Sequence, residues 1–302
     1  MVYCSAKADM EDRGEASTCS HDGAEKNDDP AARSDKSNND PRLPHLQTVK
    51  IDNWCGRRWL TMSILEAAGG GAGGGAGGGV GVVFIPSLGG TMRSLPALSL
   101  QAMCGRLGVP FLRYDATHLG ASVLETTSLP GQVLTLWQDD AANMVLSQAP
   151  GNRLVLVGFS LGATIALTLA RELPKHIAGL LLISPLVNLR KVLPRATRLA
   201  SLYFLSSTLR TRVTFRELRA FQRDLQAHAF PCRKGAVRVE CPVRIVQGMK
   251  DTFPYCNAVR LSTMLGQENV ILDLVKEEDH YMQRNEGLRA TSAALTNLLD
   301  HV

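Results

Sequence analysis

The chain has 302 residues, room for one large α/β domain or two small ones, and its 45% apolar content is ordinary for a globular protein. No apolar run approaches the roughly 20 residues of a membrane span, and no His/Cys cluster has metal-ligand spacing. Seven scattered cysteines without a C-x-x-C pair favour reduced thiols over a disulfide framework.

The net charge of +5 hides an uneven distribution, because residues 1–42 hold ten Asp/Glu against six Lys/Arg and the remainder is +9. Residues 1–45 read as an acidic, disordered tail, too polar to offset its own ordering entropy. The folded domain is assigned to 46–302. The N-terminus carries no signal h-region, and its acidity argues against a transit peptide. The expected location is therefore intracellular, and cytoplasmic rather than mitochondrial. Gln47–Ile51 and Arg58–Ile64 read as an antiparallel edge pair. Gly69–Gly79, interrupted only by Ala72 and Ala76, reads as a flexible linker that extends a hairpin between the strands on either side. It is not a phosphate loop, since it lacks the Lys-Ser/Thr ending.

Val80–Pro86 is the next buried strand, followed by the turn Ser87-Leu88-Gly89-Gly90. Leu95–Leu107 reads as a helix and Pro110–Asp115 as a strand. Val133–Val145 is an amphipathic helix with Val133, Leu134, Trp137, Ala141, Met144 and Val145 on one face. Leu154–Val157 is a strand, a helical pattern follows Ser160, and Ile177–Ser184 is a strand. After an insertion come strand Val243–Gln247, helix Cys256–Leu265, strand Val270–Val275 and helix Gly287–Leu299. Strands alternating with helices of about 10–15 residues predict an α/β fold with a mostly parallel, doubly wound sheet.

The chemistry is written at Gly158-Phe159-Ser160-Leu161-Gly162. G-x-S-x-G between a strand and a helix is the nucleophile elbow of α/β-hydrolases, a turn so tight that the serine is strained and the residues two before and two after must lack bulk. A serine nucleophile needs a base and an acid to orient that base. In this fold they follow in the order Ser, Asp or Glu, His, each after a strand. Asp251 follows strand Val243–Gln247 and His280 follows strand Val270–Val275, where that order requires them. The oxyanion hole needs two backbone N–H donors, assigned to Leu161 and to Leu88. Ser rather than Asp at 160 argues for acyl transfer to water through an acyl-Ser160 intermediate, with no cofactor and no metal.

F-I-P-S-L-G-G-T-M-R-S (84–94), C-G-R-L-G (104–108), R-Y-D (113–115), C-P-V-R-I-V-Q-G-M-K-D (241–251) and D-H-Y-M (279–282) resemble a family of α/β-hydrolase-domain serine hydrolases, that of the mitochondrial palmitoyl-protein thioesterase and acyl-glucuronide esterase. The resemblance covers about 80–185 and 240–300. It implies Ser160, Asp251 and His280 as the triad, and acylated proteins or small acyl esters and thioesters as substrates. Three positions depart from the pattern: Ser87 stands where Gly is usual, Pro254 comes one residue early after Asp251, and His118 replaces a preferred Gly. The first bears on the oxyanion hole and the second on the placement of Asp251.

Residues 186–238, where this fold places its lid, carry twelve Lys/Arg against Glu217 and Asp224. Phe215, Leu218, Phe221 and Leu225 form an apolar stripe, and Arg216, Arg219 and Arg223 recur along a neighbouring face. The segment reads as a basic helical cap that buries its stripe over the active site, with its arginines solvated or facing anionic substrates or a membrane surface. Nucleic acid is a poor fit, because aromatics for base stacking are sparse. The expected function is an acyl-protein thioesterase-like or acyl-glucuronide esterase-like hydrolase. Its rivals are a lipase or monoacylglycerol-type carboxylesterase and a catalytically silent binding module.

Overall fold

The computed structural model describes residues 43–53, 56–66, 79–125, 131–187, 205–209, 212–231, 233–252, 256–266 and 268–302. The readings made on the tail to residue 42, on nearly all of the Gly-rich linker, on cap residues 188–204, 210–211 and 232, and on Pro254 lie outside the described residues.

Strands β1 (His45–Asn53) and β2 (Gly56–Leu65) form an antiparallel pair with His45 opposite Ile64 and Asn53 opposite Gly56. Seven more follow: β3 (Val80–Ile85), β4 (Phe111–Tyr114), β5 (Val123–Leu124), β6 (Arg153–Phe159), β7 (Ile177–Ile183), β8 (Val243–Gly248) and β9 (Val270–Val275). The sheet runs β1-β2-β4-β3-β6-β7-β8-β9, with β5 paired to β2. From β4 to β9 every neighbour is parallel, while β1, β2 and β5 pair antiparallel. The strands on either side of the Gly-rich stretch therefore form no hairpin with each other. The strands that flank it, β2 and β3, are separated by β4. Local sequence favours pairing of consecutive strands, and here a later strand takes the intervening place.

Parallel strands are covered on both faces, so they read as unbroken apolar runs. Alternate residues of β3 and β6 divide between two cores: Val83, Ile85 and Leu156 face one, and Val82, Phe84 and Val157 face the other. The first core takes helices α2 (Val133–Asn143) and α3 (Leu161–Glu172), and the second takes α1 (Leu95–Leu107) and the last helix, Asn285–Leu299. α1 carries Pro96 in its first turn and ends on Gly108, whose φ of 69° is the left-handed cap that glycine adopts without a Cβ penalty. α2 passes at Met144 into a π turn, Met144–Gln148, so the helix expected to reach Val145 changes its hydrogen bonding one residue earlier.

Arg58 is fully buried where β2 meets α2. Its Nε donates to Asp140 Oδ1 at 2.6 Å, one terminal nitrogen donates to Asn53 Oδ1 at 2.9 Å, and the other contacts Asp139. Burial would pull its pKa down, but the Asp140 and Asp139 carboxylates outweigh that and raise it. The second Asp140 oxygen accepts the Thr117 N–H at 2.8 Å, and Thr117 O accepts the Trp137 indole at 2.8 Å. Asp115 of the R-Y-D block joins two loops in the same way, accepting the N–H groups of Met92 at 2.7 Å and Ala121 at 2.9 Å.

In the cap segment, α4 (Phe215–Ala227) begins at a capping box: Thr214 N–H donates to Glu217 Oε2 at 2.7 Å, and Glu217 N–H donates to Thr214 Oγ1 at 3.3 Å. Leu218, Phe221 and Leu225 are buried, each contributing about 1.5–3 kcal/mol. Phe215, the fourth member of the expected stripe, is 49% exposed. At the first position of the helix, its side chain leaves the seam that the other three fill. Asp224 docks α4 on α2, its Oδ2 accepting the Leu134 N–H at 2.6 Å and the Thr135 N–H at 3.2 Å. These are unpaired donors of a helix N-terminus, capped here from a distant element.

Candidate active site

Parallel strands end on one edge of a sheet, which is why residues after β6, β8 and β9 can meet. β6 breaks into α3 at Ser160, whose φ of 54° and ψ of −112° lie where a residue with a side chain is strained by about 1–3 kcal/mol. The flanking glycines make that turn possible. A Cβ on Gly158 would lie 2.7 Å from the Ala163 Cα, and one on Gly162 would collide with the Ile85 and Pro86 carbonyls. Ser160 is tied down by its own backbone, its N–H donating to Ile183 O at 2.9 Å and its carbonyl accepting the Leu186 N–H at 3.0 Å.

Ser160 Oγ lies 2.8 Å from His280 Nε2, and His280 Nδ1 lies 2.8 Å from Asp251 Oδ2. An ionised carboxylate only accepts, so Nδ1 carries the proton and Nε2 of the neutral ring accepts from the serine hydroxyl. The three residues expected to act together are brought into one line. Gln247, on β8, adds a member not foreseen: its Nε2 donates to the same Asp251 Oδ2 at 2.8 Å and to Gly248 O at 3.0 Å. The loops bearing Asp251 and His280 are joined by Met249 N–H to Val275 O at 2.9 Å and Lys250 N–H to Glu278 O at 2.8 Å. Glu278, fully buried, accepts the Gly287 N–H at 3.0 Å in the first turn of the last helix and so anchors the His280 loop. The Phe159 ring stacks on His280 with centroids 5.9 Å apart, and exposed Tyr281 meets it edge-on at 5.8 Å.

Leu161 is the first residue of α3, where a backbone N–H has no intrahelical acceptor. Leu88 lies in the turn after β3, and the pairing of Ile85 with Gly158 brings that turn beside the elbow. Thr208 of the cap segment packs against the same turn, its Cγ2 2.8 Å from where a Gly89 Cβ would stand. His118 holds a φ of 67°, which explains why a glycine suits the position. Among the described residues, no group of three or more His, Cys, Asp or Glu could hold a metal ion, and no helix is long and apolar enough to cross a membrane.

A strained serine, a base in hydrogen-bond reach and an oriented acid can perform acyl transfer. The protein-family model described as the alpha/beta hydrolase family matches residues 82–296. Among curated proteins the chain is similar to the mouse palmitoyl-protein thioesterase ABHD10, mitochondrial, with 26% identity over 229 residues, covering 73% of this chain and 75% of that one. It is 23% identical to the human protein of the same name, covering 73% of each. Among solved structures, a putative hydrolase from Agrobacterium vitis aligns with a TM-score of 0.69 at 21% identity, covering 85% of this chain and 99% of its own. Mouse alpha/beta hydrolase domain-containing protein 10 aligns at 0.65 with 22% identity, covering 84% and 98%. These two likenesses show the fold. The relatives correct one expectation: they are named mitochondrial, which overturns the cytoplasmic location inferred from the acidity of the N-terminus. Acidity excludes only an Arg-rich amphipathic presequence within the residues that carry it.

Proposed function

We propose that this chain, which belongs to the α/β hydrolase family, is a serine hydrolase that cleaves carboxylic thioesters or esters through an acyl-Ser160 intermediate. The observation that carries the reading is the unbroken line from Ser160 Oγ through His280 to Asp251, with both hydrogen bonds at 2.8 Å. His280 takes the Ser160 proton as Oγ attacks the carbonyl, and then gives it to the departing thiol or alcohol. Water, activated by the same ring, releases the acid and restores the serine. Asp251 keeps Nδ1 protonated and stabilises the imidazolium, and the Leu161 and Leu88 N–H groups face the developing oxyanion. The curated relatives are named palmitoyl-protein thioesterases, which supports a long acyl chain on sulfur, as in an acylated protein, as the substrate class, and a mitochondrial setting.

Labelling with a fluorophosphonate probe tests the chemistry, because such probes react with a serine activated by a working base. The native protein is expected to label, and Ser160→Ala and His280→Ala to abolish labelling. A native protein that does not label, or labelling that survives Ser160→Ala, overturns the assignment. Turnover of palmitoyl thioesters against monoacylglycerols then decides the leaving group, and preference for the glyceride would make the protein a lipase-type esterase.

A further inference from the structure

α4 turns two unlike faces in opposite directions. Inward, Leu218, Phe221 and Leu225 are buried and Asp224 holds the N-terminus of α2. Outward, Arg216, Arg219 and Arg223 are exposed, and Phe215 keeps 49% of its surface in solvent. These four residues line an open depression of about 490 Å³. Residues 215, 219 and 223 are each four apart and stack along one stripe of the helix. Glu217, the nearby acid, is engaged in the capping box with Thr214.

Arginines three and four residues apart repel one another, so the arrangement works against the helix that carries it. A solvated polar face accounts for the charges but not for an exposed phenyl ring among them. A soluble anion would pair with the guanidiniums and leave the ring idle. An anionic lipid surface engages both, pairing the cations with headgroup phosphates while the ring enters the acyl boundary. The capping box and the Asp224 anchor hold the helix in place, so the face is formed before any partner arrives.

We propose that the outward face of α4 docks the protein on an anionic phospholipid surface, with Arg216, Arg219 and Arg223 on the headgroups and Phe215 inserted between them. This is independent of the chemistry assigned to Ser160, and it would bring the cap to the surface in which long acyl chains are anchored.

Sedimentation of the full chain with vesicles tests it, comparing phosphatidylcholine alone with phosphatidylcholine mixed with phosphatidylglycerol. The native protein is expected to pellet with the mixed vesicles only, and less as salt rises. Replacing Arg216, Arg219 and Arg223 together by Gln should lower partitioning roughly a hundredfold, since each basic residue near such a surface is worth about fivefold. Phe215→Ala should lower it about tenfold. Hydrolysis of soluble p-nitrophenyl acetate should stay unchanged in both variants, which separates lost docking from lost folding. A native protein that binds mixed vesicles but hydrolyses no ester would overturn the catalytic reading and leave docking intact. No binding to mixed vesicles, equal binding to neutral ones, or an unaffected triple variant would overturn docking. So would loss of palmitoyl-CoA turnover by the triple variant without vesicles, because the face would then be reading a soluble anion.

Discussion

Arg58 and His280 each sit in a hydrogen-bonded line of polar side chains, and the two lines end differently. Around Arg58, three guanidinium nitrogens meet Asp139, Asp140 and Asn53, Asp140 goes on to Thr117, and the arginine side chain has no exposed surface. Around His280, Gln247 holds Asp251, Asp251 holds the ring, and the ring reaches Ser160, with the His280 side chain still 13% exposed. One is a closed knot that joins β2 to α2. The other is closed at Gln247 and ends at a strained hydroxyl, where a proton can be handed on. The same residue chemistry serves stability in one place and, as proposed, reactivity in the other, and the free end makes the difference.

Breaking the open line should cost turnover and spare the fold. Ser160→Ala is expected to lower kcat on the order of 10⁶-fold, with the melting temperature unchanged or slightly higher because the left-handed turn persists under a smaller residue. Steady-state kinetics beside calorimetry reads both. Asp251→Asn should lower kcat about 10⁴-fold by favouring the wrong tautomer of His280, again without a large change in stability. A loss under tenfold would mean that another group orients the ring. Breaking the closed knot should do the reverse. Asp140→Ala leaves Arg58 buried with a lost counter-charge and should destabilise by about 3–5 kcal/mol, measured by urea unfolding, while kcat per folded molecule holds. A parallel fall in kcat would show that the two lines are coupled. The smallest effect is expected at the anchored end of the open line. Gln247→Leu removes one bond to a charged acceptor, about 1.5–3 kcal/mol in general, and should lower kcat roughly tenfold because Asp251 keeps its bond to His280.

The legible parts of the molecule were those where backbone sterics demand a residue type. Gly158 and Gly162 announced the elbow because the paths of β3 and α3 leave no room for a Cβ there. Asp251 and His280 could be placed because parallel strands must end on the same edge. Gln247 was visible as the last side chain before Gly248, yet nothing local says that its amide turns toward Asp251. Arg58 stands in a strand of the expected edge pair with nothing local to mark it as buried, since its two carboxylate partners lie more than eighty residues away. Asp224 was hidden for the same reason, being the cap of a helix ninety residues earlier. The start of α4 is written locally: Thr214-Phe215-Arg216-Glu217 has the T-x-x-E spacing of a capping box, which places Phe215 at the first helical position and off the buried seam.

β4 lies between β2 and β3 although it follows both along the chain. During synthesis, then, the first hairpin emerges before its berth exists. β1 covers one edge of β2, but the other edge, filled by β4 and β5, waits until Leu124 has left the ribosome. At roughly 5–20 residues per second that interval lasts several seconds. An unpaired edge is the surface on which a strand joins the wrong chain. β2, with Leu60, Met62 and Ile64 in the core, is therefore the first strand along the chain that must wait for its second neighbour.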